Sequence, residues 1–182
     1  YLDNITVCGN DQEEHDRNVC RFVEAVQKYQ LTLNEEKTIS SVTEIAMLGY
    51  LISHGQIRPD PERMKPLIEL PIPESIVSLK RALGLFSYYS QWVPKYSDKI
   101  QPLINEPEFP LGPNAVCAFN EIKQLIADGS LVSPNREGLL VVETDASGFA
   151  LSGTLNQGGQ PIAFFSRTLN KHEKNQSSIE KE

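Results

Sequence analysis

Apolar residues recur three and four apart through residues 13–29, where Val19, Phe22, Val23, Val26 and Tyr29 share one side of a helix. The spacing predicts a core-facing helix, with Asp11 or an adjacent polar residue as its cap. Ahead of it, residues 1–9 read as a strand ending at Gly9. Residues 31–58 change period to short β-like runs, with Asn34-Glu35-Glu36-Lys37 and Ser53-His54-Gly55-Gln56 as turn material. Pro59, Pro61, Pro66, Pro71 and Pro73 then bracket a short helix and a loop. A longer helix follows at about 75–92 and must end before Pro94, because the residue ahead of a proline avoids the α region. Composition shifts again at 105–113, which reads as a linker, after which Asn114 caps a helix running to about 127. From Leu139 onward Val141-Val142-Glu143-Thr144-Asp145, 151–155 and 162–165 read as three strands joined by glycine-containing turns. The pattern predicts an α+β chain of two domains with a joint near 105–113.

Composition narrows the function classes. At 182 residues, 40% hydrophobic and 23% charged, the chain has ordinary globular composition and can bury one sizeable core or two small ones. A net charge of -7 argues against holding nucleic acid by the overall field, since phosphate neutralisation needs clustered Lys and Arg; any such contact must be local. Cys8, Cys20 and Cys117 are widely spaced and His15, His54 and His172 fall in three segments, which predicts reduced, structural cysteines in an intracellular protein and no zinc site. The sequence shows no signal peptide and no apolar run long enough to span a bilayer.

The candidate chemistry lies in acidic motifs. Tyr1-Leu2-Asp3-Asn4 precedes the apolar run Ile5-Thr6-Val7-Cys8, Glu143-Thr144-Asp145-Ala146-Ser147 closes a strand, and Ile179-Glu180-Lys181-Glu182 stands last. Between them come Met47-Leu48-Gly49-Tyr50, Arg58-Pro59-Asp60-Pro61, Leu83-Gly84-Leu85-Phe86-Ser87-Tyr88-Tyr89, Val93-Pro94-Lys95-Tyr96-Ser97 and Ala118-Phe119-Asn120-Glu121-Ile122-Lys123. In that order and spacing these motifs resemble, over essentially the whole chain, the pol polyprotein of gypsy-type long-terminal-repeat retrotransposons. The resemblance implies the end of a reverse transcriptase palm at 1–58, a helical thumb at 59–104, a linker and connection helix at 105–138, and the N-terminal sheet of a ribonuclease H-like domain at 139–182. A chain that starts and stops inside two metal-binding motifs is expected to be a segment of a longer enzyme.

Two-metal phosphoryl transfer needs carboxylates from different elements converging on ions about 3.5–4 Å apart, and Mg²⁺ suits such an oxygen-ligand site. The resemblance makes Asp3 a polymerase metal ligand, with Tyr1 beside it in the nucleic-acid-binding motif. Asn4 stands where the family has a second Asp; its amide carries no charge to offset a dication, which weakens the case for polymerase activity. In the last segment the resemblance makes Asp145 the first ribonuclease H ligand and Glu182 its partner. Glu180 lies about 200° away from Glu182 on a helix, so only one of the two can face Asp145. Glu143 is expected on the surface, facing differently from Thr144.

Two further segments read as nucleic-acid contacts, each beside a plainer reading. Leu48, Gly49 and Tyr50 resemble the hairpin that grips a primer end, a glycine in a strand allowing close backbone approach; alternatively Gly49 marks a bulge with Tyr50 packed in the core. Gly84 in a helix interior costs about 1 kcal/mol relative to Ala, and Lys80, Gly84 and Tyr88 stand four apart on one face. That face offers a cation, bare backbone and an aromatic to a duplex minor groove, as the family's thumb helix does; alternatively Gly84 admits a neighbouring helix, with Lys80 and Arg81 as a solvated edge.

The resemblance therefore implies RNA-directed DNA polymerase and RNA–DNA hybrid ribonuclease activities with Mg²⁺, or Mn²⁺ in its place. The implied partners are an RNA template, a DNA primer, the RNA–DNA hybrid and deoxynucleoside triphosphates, in a cytoplasmic retroelement particle or the nucleus and without a membrane. The competing reading is a catalytically dead or domesticated remnant that at most binds nucleic acid or a partner protein.

Overall fold

A computed structural model describes residues 5–105, 108–135 and 137–181. The chain divides into two compact units between Val42 and Thr43. In the first, α1 (Gln12–Lys28) starts where expected, because the Asp11 side chain accepts from the backbone N–H of Glu14. Residues 5–9, expected as a strand, form no regular element. A strand needs a neighbour to complete its ladder, and apolar propensity alone supplies none. The apolar face of α1 also departs from expectation: of its residues only Val26 is buried, while Val23 and Tyr29 are exposed.

The second unit begins with β1 (Glu44–Met47), β2 (Tyr50–Ser53) and β3 (Gln56–Pro59), joined by two-residue turns at Leu48-Gly49 and His54-Gly55. All four turn residues have positive φ, which matches the right-handed twist of the flanking strands. Next come α2 (Pro61–Ile68), capped by Asp60, and α3 (Ile76–Tyr88), whose Ser75 cap exchanges hydrogen bonds with Ser78. The expected 75–92 helix thus ends at Tyr88, and residues 90–92 tighten into a 3₁₀ turn ahead of Pro94.

Two short helices, α4 (Tyr96–Lys99) and α5 (Gln101–Ile104), lead to α6 (Pro113–Ala127). Gly112, not Asn114, caps α6, because Pro113 takes the first helical position, where its fixed φ fits and its missing N–H costs nothing. After α6, β4 (Leu131–Val132) pairs with β3, through Leu131 opposite Ile57. A strand from beyond 105–113 therefore completes a sheet begun before it, and both sides of that stretch share one compact unit. The core between these elements is continuous: Met64 and Leu67 of α2, Leu79, Ala82 and Phe86 of α3, Trp92, and Phe119, Ile122 and Ile126 of α6. Phe86 and Phe119 meet with ring centroids 5.2 Å apart, and Trp92 packs so close to Gly129 that a Cβ there would lie 2.7 Å from its own Cβ.

The unit continues with an antiparallel meander, β5 (Leu140–Ala146), β6 (Ala150–Gln157) and β7 (Gln160–Thr168), each longer than the strand expected there. The β6–β7 turn uses Gly158 and Gly159, both at positive φ. Helices α7 (Lys171–Lys174) and α8 (Ser178–Lys181) follow. The cysteines are free and exposed, so the expectation of structural cysteines fails: none sits in the core. No helix of the described residues is long and apolar enough to cross a membrane.

Candidate functional site

Tyr1, Asp3, Asn4 and Glu182 lie outside the described residues. Asp145 closes β5 opposite Ser152 and is exposed, its side chain retaining 57% of its accessible surface. Lys95, the residue before α4, donates through Nζ to Asp145 Oδ2 at 2.5 Å. That bond and the ammonium charge hold the Asp145 carboxyl below the usual carboxylate range and raise the lysine. Two further bonds pin α4 across the same end of the sheet. Ser147 Oγ donates to Asp98 Oδ1 at 2.7 Å, and the Ser97 backbone N–H donates to Ser166 Oγ at 2.9 Å.

Strand alternation sorts the neighbouring carboxylates. Glu143 shares the Asp145 face, away from Thr144, and is exposed, but its Oε2 accepts from Asn156 Nδ2 at 2.7 Å. Glu180 folds back on its own helix start: its Oε2 accepts from the Ser177 N–H at 2.9 Å and from its hydroxyl at 3.0 Å, which lowers its pKa. Glu173 is paired with Arg167 and with the Asn170 N–H. Among the described residues no group of three or more His, Cys, Asp or Glu could hold a metal ion. This donor set, Asp145 paired with Lys95 and Asp98 bonded by Ser147, does not by itself fit a two-metal centre.

Lys80, Gly84 and Tyr88 line one exposed face of α3. A Cβ built on Gly84 meets nothing within 4 Å, so within the described residues no neighbouring helix explains the glycine. The opposite face carries Leu79, Ala82 and Phe86 into the core. The hairpin expected at Leu48-Gly49-Tyr50 is present as β1–β2, with Gly49 second in its turn at φ 90° rather than inside a strand or at a bulge. Leu48, first in that turn, holds φ 54° with its side chain 63% exposed. A bulky residue there pays a steric cost that an Asn or Gly would avoid, and its apolar side chain is left in solvent. Tyr50 is half-buried against Trp92, ring centroids 5.5 Å apart.

Sequence reasoning missed Lys95. It lies 50 residues from Asp145, and no local spacing couples the two. The Asn170–Glu173 and Ser177–Glu180 pairs, by contrast, carry the short signature of a polar cap followed three residues later by Glu.

The exposed Asp145 thus stands next to the end of the first strand of an antiparallel meander that follows the helical core. Residues 111–182 match the family model described as the RNase H-like domain found in reverse transcriptase. Over its whole length the chain is homologous to a stretch of retrovirus-related Pol polyproteins of Drosophila melanogaster transposons. It is 34% identical to that of transposon 297, 31% to that of opus and 25% to that of gypsy, with 100% of this chain covered each time. The chain spans about a fifth of the length of these relatives, 20% for opus, 18% for 297 and 19% for gypsy. Among solved structures, it superposes on a foamy viral protease-reverse transcriptase in complex with double-stranded DNA (TM-score 0.77, 21% identity, 96% of this chain and 32% of that one). It also superposes on a foamy viral protease-reverse transcriptase in complex with an RNA/DNA hybrid (TM-score 0.73, 23% identity, 96% of this chain and 25% of that one). At these identities the structural likeness speaks for the fold.

Proposed function

We propose that this chain serves, within a retrotransposon Pol polyprotein, as the segment that holds a primer–template duplex and leads it from polymerase to ribonuclease H. Residues 1–58 close the palm, 59–104 form the thumb, 105–138 the linker and connection helix, and 139–182 open the ribonuclease H-like domain. The parent activities are RNA-directed DNA synthesis and hydrolysis of the RNA strand of an RNA–DNA hybrid. Deoxynucleoside triphosphates and Mg²⁺, or Mn²⁺, are required; bound ions would supply charge stabilisation and an activated water.

The observation that carries the reading is the open Lys80–Gly84–Tyr88 face of α3. With no Cβ at its centre, duplex backbone can approach the helix closely, while the ammonium contacts a phosphate and the phenol ring lies against a sugar or base edge. The exposed Leu48 at the β1–β2 tip and the half-buried Tyr50 supply a second, apolar contact. Foamy viral relatives of this fold hold double-stranded DNA and RNA/DNA hybrid, which supports duplex nucleic acid as the partner.

The test is fluorescence anisotropy with a labelled hybrid. Gly84→Leu should weaken binding at least tenfold with an unchanged melting temperature, since its added atoms point into open space. Lys80→Ala should weaken it less and reduce the salt slope by about one phosphate contact. Wild-type affinity in both variants would sink the duplex-holding role. One observation favours the second reading, a remnant that binds without catalysing: of the carboxylates at the sheet end, Asp145 is occupied by Lys95 and Asp98 by Ser147.

A further inference from the structure

Building on the reading of the α3 face and the β1–β2 tip as contacts with one duplex, we propose that Trp92 is a positioning residue that fixes the spacing between them. Four rings run in succession from one contact to the other. Tyr88, on the α3 face, meets Tyr89 edge-on with ring centroids 4.9 Å apart; Tyr89 meets Trp92 at 5.9 Å, and Trp92 meets Tyr50, the residue after the turn, at 5.5 Å. Rings at such separations hold one another by more than the area they bury. Tyr88 is exposed and Tyr50 half-buried, whereas Tyr89 and Trp92 are buried. The outer rings can therefore touch a ligand, and Trp92 acts on it only through them.

The indole is held on its other sides as well. Its backbone N–H donates to the Tyr89 carbonyl at 3.1 Å, closing the 3₁₀ turn after α3, and Gly129 approaches so closely that the ring has little room to shift away. At the hairpin tip the Gly49 carbonyl accepts from the Asp60 N–H at 3.1 Å, which fastens the turn to the start of α2. The tip thus moves only with its strands, and β2 joins the helical core through Tyr50. Two contacts held at a fixed spacing engage one ligand without a second ordering cost; a loosened pair loses that advantage.

The probe is a labelled RNA–DNA hybrid read by fluorescence anisotropy, each variant measured at a temperature where circular dichroism shows it folded. In the otherwise wild-type chain Leu48→Ala should weaken binding about threefold, the loss of one apolar contact. In a Trp92→Leu background that penalty should shrink to below about 1.5-fold, because the tip no longer meets the duplex in step with α3, while the Lys80→Ala penalty persists. Trp92→Phe, which keeps a ring between Tyr50 and Tyr89, should restore the Leu48→Ala penalty; a purely structural role for Trp92 would not move it. Tyr50→Leu opens the same ring contact from the hairpin side with a smaller loss of packing, and should reproduce the Trp92→Leu result even where Trp92→Leu fails to fold. An undiminished Leu48→Ala penalty in Trp92→Leu or Tyr50→Leu would overturn the positioning role and leave both contacts standing. A Leu48→Ala penalty absent from the wild-type background would overturn it too, and absence of the Lys80→Ala penalty besides would take the duplex reading with it.

Discussion

Helices α1 and α6 carry the same kind of apolar spacing and meet opposite fates. The 15-residue α6 buries Ala115, Ala118, Phe119, Ile122 and Ile126, with Phe119 and both isoleucines fully inaccessible. The 17-residue α1 has a good cap, acidic residues in its first turn and Lys28 in its last, yet buries Val26 alone. Periodicity records that a helix has an apolar face; it does not record whether this stretch of chain supplies the surface that covers it. For α6 the cover comes from α2, α3, α5 and the Trp92 turn, all within one compact unit. In α1 the terminal signals, which are local, hold the helix while Val23 and Tyr29 remain in solvent and Val19 and Phe22 are only half-buried.

The contrast is broken most directly at the core. Phe119→Ala should destabilise the 43–182 unit by about 3–5 kcal/mol, through the lost ring, the cavity and the lost pairing with Phe86. Chemical denaturation followed by Trp92 fluorescence measures it, and a loss below about 1 kcal/mol would mean that α6 is not the keystone of this core. An intermediate effect is expected at the α1 cap: Asp11→Ala removes the bond to the Glu14 N–H and should cost about 1 kcal/mol. Hydrogen exchange should show that loss in residues 12–28 while amides of α6 keep their protection; equal loss in both helices would erase the distinction. The smallest change belongs to Val23→Ser on the open face of α1, expected within about 0.5 kcal/mol beyond its slight propensity cost. A loss of 2 kcal/mol in the same exchange measurement would show that this face is covered in solution.

Much of the fold is legible because its determinants are local. The Asp11 cap, the His54-Gly55 turn, the stop before Pro94 and the three closing strands each follow from residues within one or two turns of each other. Misreadings arise where a distant partner decides. Ile5 to Cys8 has strand-forming residues without forming a strand, and Leu48-Gly49 looks like strand interior until the Met47–Tyr50 register makes it a turn. At the candidate site, Asp145 at the end of an apolar run and the 80–84–88 stripe are visible from spacing. The exposure of that stripe, and the open space over Gly84, are not, because they depend on which side of α3 the core takes.

The sequence by itself determined most of the longer elements, the family likeness and the motif residues, since caps, turn glycines, periodicity and motif order are short-range properties of the chain. Tertiary structure alone decided three further things. β4 returns to β3 across 105–113, α1 leaves Val23 and Tyr29 in solvent, and Lys95 lies on Asp145. Each is a pairing of groups far apart in sequence, fixed by how whole elements pack against one another, and packing geometry is not written in any window of neighbouring residues.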